Sequence, residues 1–155
     1  MNTIYWFSGT ENSYFVAKTI SQKLKEYILS PIATMHSLPQ ECERIGFVFP
    51  HYALGVPNLV RQKLEQIDFS TNKNTYCFAV ETYGGFKGNC LAQVRDILAK
   101  NVALQYGATL FQIMASTPSA KKNDGGFCNQ LGKNFSNRRA DETYPFARTR
   151  APTLF

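Results

Sequence analysis

The 155-residue sequence predicts an α/β domain, an open parallel sheet covered by helices on both faces. Short apolar runs without alternation recur along the chain, as strands buried on both faces require. Stretches with apolar residues at helical spacing lie between them. The length fits one domain, and 44% hydrophobic with 14% aromatic residues is enough for a single sizeable core.

Met1 to Phe7 reads as the first buried strand, and from Ser13 onward Val16, Ala17, Ile20, Leu24 and Ile28 form one helical stripe. Pro31-Ile32-Ala33-Thr34-Met35 predicts a second strand, followed by a polar connection, 37–44, too short for a crossover helix. Ile45 to Phe49 predicts the third strand, stopped by Pro50. Pro57 then opens a helix at its first position, with Val56, Val60, Leu64 and Ile67 on one side. Thr75 to Val80 predicts the fourth strand and Glu81 to Gly88 a glycine-rich loop. Asn89 suits the cap of a helix carrying Leu91, Val94, Ile97, Leu98 and Val102, and Thr109 to Ala115 predicts the fifth strand. Right-handed crossovers leave few doubly wound orders, of which we expect 2-1-3-4-5. Its switch point lies between strands 1 and 3, so a ligand should meet the loops at 8–13, 50–56 and 81–89.

Composition narrows the function. No apolar run approaches the 18 or so residues that span a bilayer, and the first residues are committed to a strand rather than to a cleavable leader; a soluble, cytoplasmic protein is expected. Cys42, Cys77, Cys90 and Cys128 form no C-x-x-C pair, which argues against a zinc ribbon or an iron–sulfur cluster and for inert, reduced thiols. With two histidines and no spacing that supports a nucleophile–base–acid set, the chain is expected to position a cofactor rather than supply catalytic groups. The formal charge is +6, of which residues 117–155 carry +4. Arg138-Arg139 and Lys121-Lys122 are isolated pairs in Gly- and Pro-broken sequence, so nucleic acid is an unlikely partner.

The turn after the first strand, Ser8-Gly9-Thr10-Glu11-Asn12-Ser13, places hydroxyl and amide donors at the positive end of a helix. An anion, best a phosphate monoester, suits that arrangement. The plain alternative is a strand-to-helix turn whose Ser, Thr and Asn serve only as caps. Neither G-x-x-x-x-G-K-[ST] nor G-x-G-x-x-G is present.

Phe7-Ser8-Gly9-Thr10-Glu11-Asn12-Ser13 resembles the FMN-phosphate loop of the flavodoxin family, most closely the flavodoxin domain fused to ferredoxins in anaerobic bacteria and archaea. The resemblance implies FMN, with the phosphate on residues 8–13. Glu11 departs from it, standing where the family usually has glycine. Pro50-His51-Tyr52-Ala53-Leu54-Gly55-Val56 resembles the second flavin loop, in which Tyr52 or Leu54 supplies a wall for the ring and Gly55 is a candidate for the backbone flip toward flavin N5. His51 reads as a solvated loop histidine in preference to a proton relay. Thr82-Tyr83-Gly84-Gly85, with Gly88 and Asn89, resembles the third loop; Tyr83 is the candidate outer stacking ring, the glycines permit close backbone approach, and a glycine-rich turn without a ligand is the alternative. Lys87 nearby would favour a reduced, anionic flavin.

The resemblance covers residues 1–116, taken as the FMN-binding domain. Residues 117–155 are expected to be an irregular basic extension, because Asp124-Gly125-Gly126, Gly132, Pro145 and Pro152 interrupt every window for a fifth helix except a weak one through Phe127, Leu131 and Phe135. The implied function is an electron carrier between redox partner proteins, a ferredoxin or a reductase. The alternatives are an interaction module that has lost FMN and a flavin-dependent NAD(P)H or quinone reductase.

Overall fold

The computed structural model describes residues 1–40, 42–69, 75–84 and 88–100, and the backbone of 108–114. Its strands are β1 (Asn2–Trp6), β2 (Tyr27–Pro31), β3 (Arg44–Pro50), β4 (Tyr76–Tyr83) and β5 (Ala108–Met114). The helices are α1 (Asn12–Leu24), α2 (Asn58–Gln66) and α3 (Cys90–Lys100). All strand pairs are parallel, in the order β2-β1-β3-β4, and the backbone of β5 runs beside β4. That order of the first four strands agrees with the expected one and puts the switch point between β1 and β3.

Strand alternation divides the core into two layers. Tyr5, Phe47, Phe49, Cys77 and Ala79 face one side, where they pack with Val60 and Leu64 of α2 and Val94, Ile97 and Leu98 of α3. Ile4, Val48, Phe78 and Val80 face the other, against Val16, Ala17 and Ile20 of α1. Each fully buried side chain of this size contributes roughly 1.5–3 kcal/mol, so both faces are held by substantial apolar burial.

Four expectations are corrected. The second strand is Tyr27–Pro31 rather than Pro31–Met35, and α1 ends at Leu24 rather than reaching Ile28, which is 47% exposed on the edge strand. The cause is local: Lys25 and Glu26 adopt φ of 52° and 60°, which stops the helix and turns the chain at once into β2. Ile32, Met35 and Leu38 still reach the core, but from a 3-10 turn (Ile32–Thr34) and the segment after it. Similarly, β4 continues to Tyr83, because Glu81 and Thr82 still pair with Phe49 and Pro50. The helix after Pro57 begins at Asn58, one residue later than expected.

Cys42, Cys77 and Cys90 are buried thiols; Cys128 and the fifth-helix windows lie outside the described residues. Among the described residues, no helix is long and apolar enough to cross a membrane. An open depression of about 620 Å³ lies at the amino-terminal edge of the strands, lined by Met1, Asn2, Glu26, Tyr27, Ile28 and Glu43. It is at the opposite sheet edge from the loops that the topology nominates.

Candidate functional site

The three nominated loops meet at the carboxyl edge of β1, β3 and β4, joined by specific contacts. After β1, the Phe7 N–H donates to the Val48 carbonyl at 2.9 Å, so the chain leaves the sheet at Ser8. The Ser8 hydroxyl oxygen is buried and has no hydrogen-bond partner among the described residues. Gly9, Thr10, Glu11 and Asn12 are exposed, with the Asn12 amide donating to Thr10 Oγ1 at 3.3 Å. Glu11 occupies the cap position of α1 with φ 63°, the left-handed angle at which glycine is unstrained, and no side chain caps the helix. Among the described residues the first N–H groups of α1 thus have no side-chain cap, beside an orphaned hydroxyl.

Ser13 turns the other way. It is 1% exposed, and its hydroxyl shares a 2.7 Å hydrogen bond with Thr82 Oγ1, which ties the start of α1 to the end of β4. Two residues read as ligand contacts from sequence are thus joined to each other in the structure.

The second loop is a tight hairpin. Tyr52 and Gly55 exchange both backbone hydrogen bonds, at 3.0 and 2.9 Å, around Ala53 and Leu54, whose φ values are 47° and 65°. A two-residue turn with both central residues left-handed ordinarily demands Asn or Gly. Here the strain falls on Ala53 and Leu54, whereas Gly55, the residue singled out from sequence for its freedom, is not at positive φ. Tyr52, 49% exposed, sets its ring edge-on to Phe7 at 5.9 Å, and its hydroxyl lies against Gly9 where a β-carbon would stand. Leu54 is also exposed, and the Val56 N–H donates to Gln93 Oε1 at 3.1 Å. Arg61 donates to the same oxygen at 2.9 Å, so Gln93 of α3 pins the loop to both helices of that face.

Thr82 and Tyr83 finish β4 and Gly84 follows; Gly85 and Lys87 lie outside the described residues. Where the chain returns, Gly88 packs on the Leu54 backbone, leaving 2.7 Å between the carbonyl oxygen and the place of a β-carbon. The Asn89 N–H then donates to that carbonyl at 3.1 Å.

Sequence reasoning missed the polar pair beneath the second loop. Glu81 is 0% exposed and holds His51 Nδ1 at 2.9 Å, while the imidazole lies parallel to the Tyr83 ring, centroids 6.2 Å apart. The expectation of a solvated His51 is corrected: its side chain is only 14% exposed. The signal was present as period-two spacing, since Cys77 and Ala79 face the core and Glu81 is next on that face once β4 runs past Val80. Burial, with Glu81 alongside, pushes the Cys90 thiol up to about 12, and the same two causes raise the Tyr83 phenol. Both groups stay protonated at neutral pH.

This edge suits a phosphorylated, flat, partly apolar ligand. The orphaned Ser8 hydroxyl and uncapped α1 match an anion, and Tyr52, Leu54 and Tyr83 offer ring and alkyl surface beside it.

No protein-family model and no curated protein matches the sequence. Solved structures match in fold. A Megasphaera elsdenii flavodoxin superposes with TM-score 0.65 at 14% identity, over 86% of this chain and 96% of the other. A flavodoxin from the domain Archaea gives 0.62 at 14% identity, over 88% and 96%. Rubredoxin oxygen:oxidoreductase from Desulfovibrio gigas gives 0.66 at 10% identity, over 87% of this chain and 36% of that longer one. At such identities the likeness establishes a flavodoxin-like fold and nothing finer.

Proposed function

We propose that this chain binds FMN and carries electrons between protein partners. The observation that carries the reading is the buried, partnerless Ser8 hydroxyl beside the uncapped N-terminus of α1, at the switch point where three interlocked loops meet. Ser8, Gly9, Thr10, Asn12 and the first N–H groups of α1 would hold the phosphate. Tyr52, Leu54 and Tyr83 would bound the ring, with Gly84 and Gly88 allowing the backbone to approach it. Bound FMN supplies the electron transfer itself; the protein binds it, orients it and excludes water. A ferredoxin or a reductase is the proposed partner class, in the cytoplasm. The finer kinship, with flavodoxin domains fused to ferredoxins, rests on the wording of the three loops. Purified full-length protein is expected to quench the fluorescence of added FMN. Unchanged fluorescence with protein at tens of micromolar overturns the proposal.

One observation favours a second reading, a domain of this fold that no longer binds FMN: Glu11, an acidic residue, sits exposed at φ 63° in the turn that heads α1. Glu11→Gly is expected to raise stability by about 1 kcal/mol by relieving the left-handed strain. It should also tighten FMN roughly fivefold by removing a like charge, the effect of about 1 kcal/mol. Isothermal titration of both proteins decides: binding by the glycine variant alone marks the natural chain as having lost its cofactor, and binding by neither marks an interaction module.

A further inference from the structure

We propose that Glu81 and His51 form a positioning pair for the second and third loops: a buried carboxylate fixes the imidazole, and the imidazole fixes the Tyr83 ring and the start of the Tyr52–Gly55 hairpin. Glu81 is fully buried on the α2/α3 face of β4 and holds His51 Nδ1 at 2.9 Å. His51 is also fixed at its backbone, where its N–H donates to the Thr82 carbonyl at 3.1 Å. Its ring lies 15° from parallel with that of Tyr83. One side chain thus touches the strand that ends in the third loop while its own backbone begins the second.

A carboxylate in an apolar layer costs several kcal/mol to desolvate, so packing alone gives no reason for it at this position. An apolar side chain would fill the space between Phe49, Cys90 and the helices. What a leucine would not do is hold an imidazole at a fixed angle beneath a hairpin already strained at Ala53 and Leu54. The surroundings fit such a role. The protonated Cys90 thiol of α3 is hydrogen-bonded to the carboxylate, and the Arg61 guanidinium near Cys90 donates to Gln93. His51 is the carboxylate's contact on the side of the second loop.

That these loops hold a flavin ring rests on the function proposed above, whereas the pair itself is testable without FMN. Amide hydrogen exchange is read at residues 51–56 in the ligand-free full-length chain, for four variants. Glu81→Leu and His51→Phe remove the hydrogen bond, the second while keeping a ring beside Tyr83. Glu81→Gln and His51→Asn keep a partner at the same place, since the amide oxygen accepts from Nδ1 and the asparagine Nδ2 takes the position of Nδ1. Exchange should rise about tenfold in the first two, as for the loss of a hydrogen bond to a charged group, and stay within about threefold in the conservative two. Rescue by the conservative variants is what a merely space-filling pair would not show. His51 is at the rim, so its two variants preserve the comparison should either Glu81 variant fail to fold. Equal exchange in His51→Phe and the natural chain, or equal loss in His51→Phe and His51→Asn, overturns the proposal. If the natural chain leaves FMN fluorescence unchanged while the exchange pattern holds, the flavin reading fails and the positioning pair stands.

Discussion

Gly46→Ala is expected to destabilise the fold by about 2–3 kcal/mol, the range of overpacked cores. Gly46 lies in the middle of β3, opposite Ile4 on one side and Phe78 on the other. A β-carbon there would stand 2.6 Å from Phe78 Cε2 and nearer still to Cζ, so the tip of the ring occupies that space. The ring cannot swing aside cheaply, because Phe78 is fully buried among Ile4, Val48 and Val80, and Tyr27 packs edge-on against it at 6.3 Å. Urea unfolding measures the loss, and the cause is checked by pairing the change with Phe78→Leu. If the clash is the cause, the double variant loses at least about 1 kcal/mol less than the two single changes together. A Gly46→Ala protein within about 0.5 kcal/mol of the natural chain would show that the layer between sheet and α1 has room for the ring to move.

Gly46 also shows where sequence reading stops. Ile45 to Phe49 reads as a buried strand from composition alone, but nothing in it says which aromatic covers the glycine, because that depends on the register with β4. The same division runs through the site. Loops 8–13 and 50–56 were legible because turn chemistry is local: hydroxyl residues before a helical stripe, and Pro, Gly and aromatics after an apolar run. The β2 position was not, since the apolar pattern continues from Leu24 through Ile28 and only the left-handed pair Lys25 and Glu26 breaks it. Nor was the partner of Ser13, sixty-nine positions away at Thr82, because pairing across a parallel sheet leaves no local trace. Glu81 was misread for a related reason: a charged residue after an apolar run resembles the end of a strand, and only a partner such as His51 makes its burial tolerable.

On the FMN reading proposed above, Gly88→Val is expected to weaken FMN at least tenfold, about 1.4 kcal/mol. The neighbour that a β-carbon meets here is backbone: the Leu54 carbonyl oxygen at 2.7 Å and its Cα at 2.9 Å. A side chain can rotate out of such a contact, but Leu54 is already at φ 65° in a hairpin closed by two hydrogen bonds, so the whole turn must shift. The shift separates the second and third loops and breaks the 3.1 Å bond from the Asn89 N–H, while Ser8 and the start of α1 keep their places. Affinity should therefore fall through lost ring contacts, with the phosphate end intact. Leu54→Gly in the same chain lets the turn relax and is expected to restore protection of the Asn89 amide, which no general destabilisation would permit. Titration with FMN and exchange of the Asn89 amide are read together: an unchanged dissociation constant with Asn89 still protected would mean that the two loops do not depend on each other at this contact.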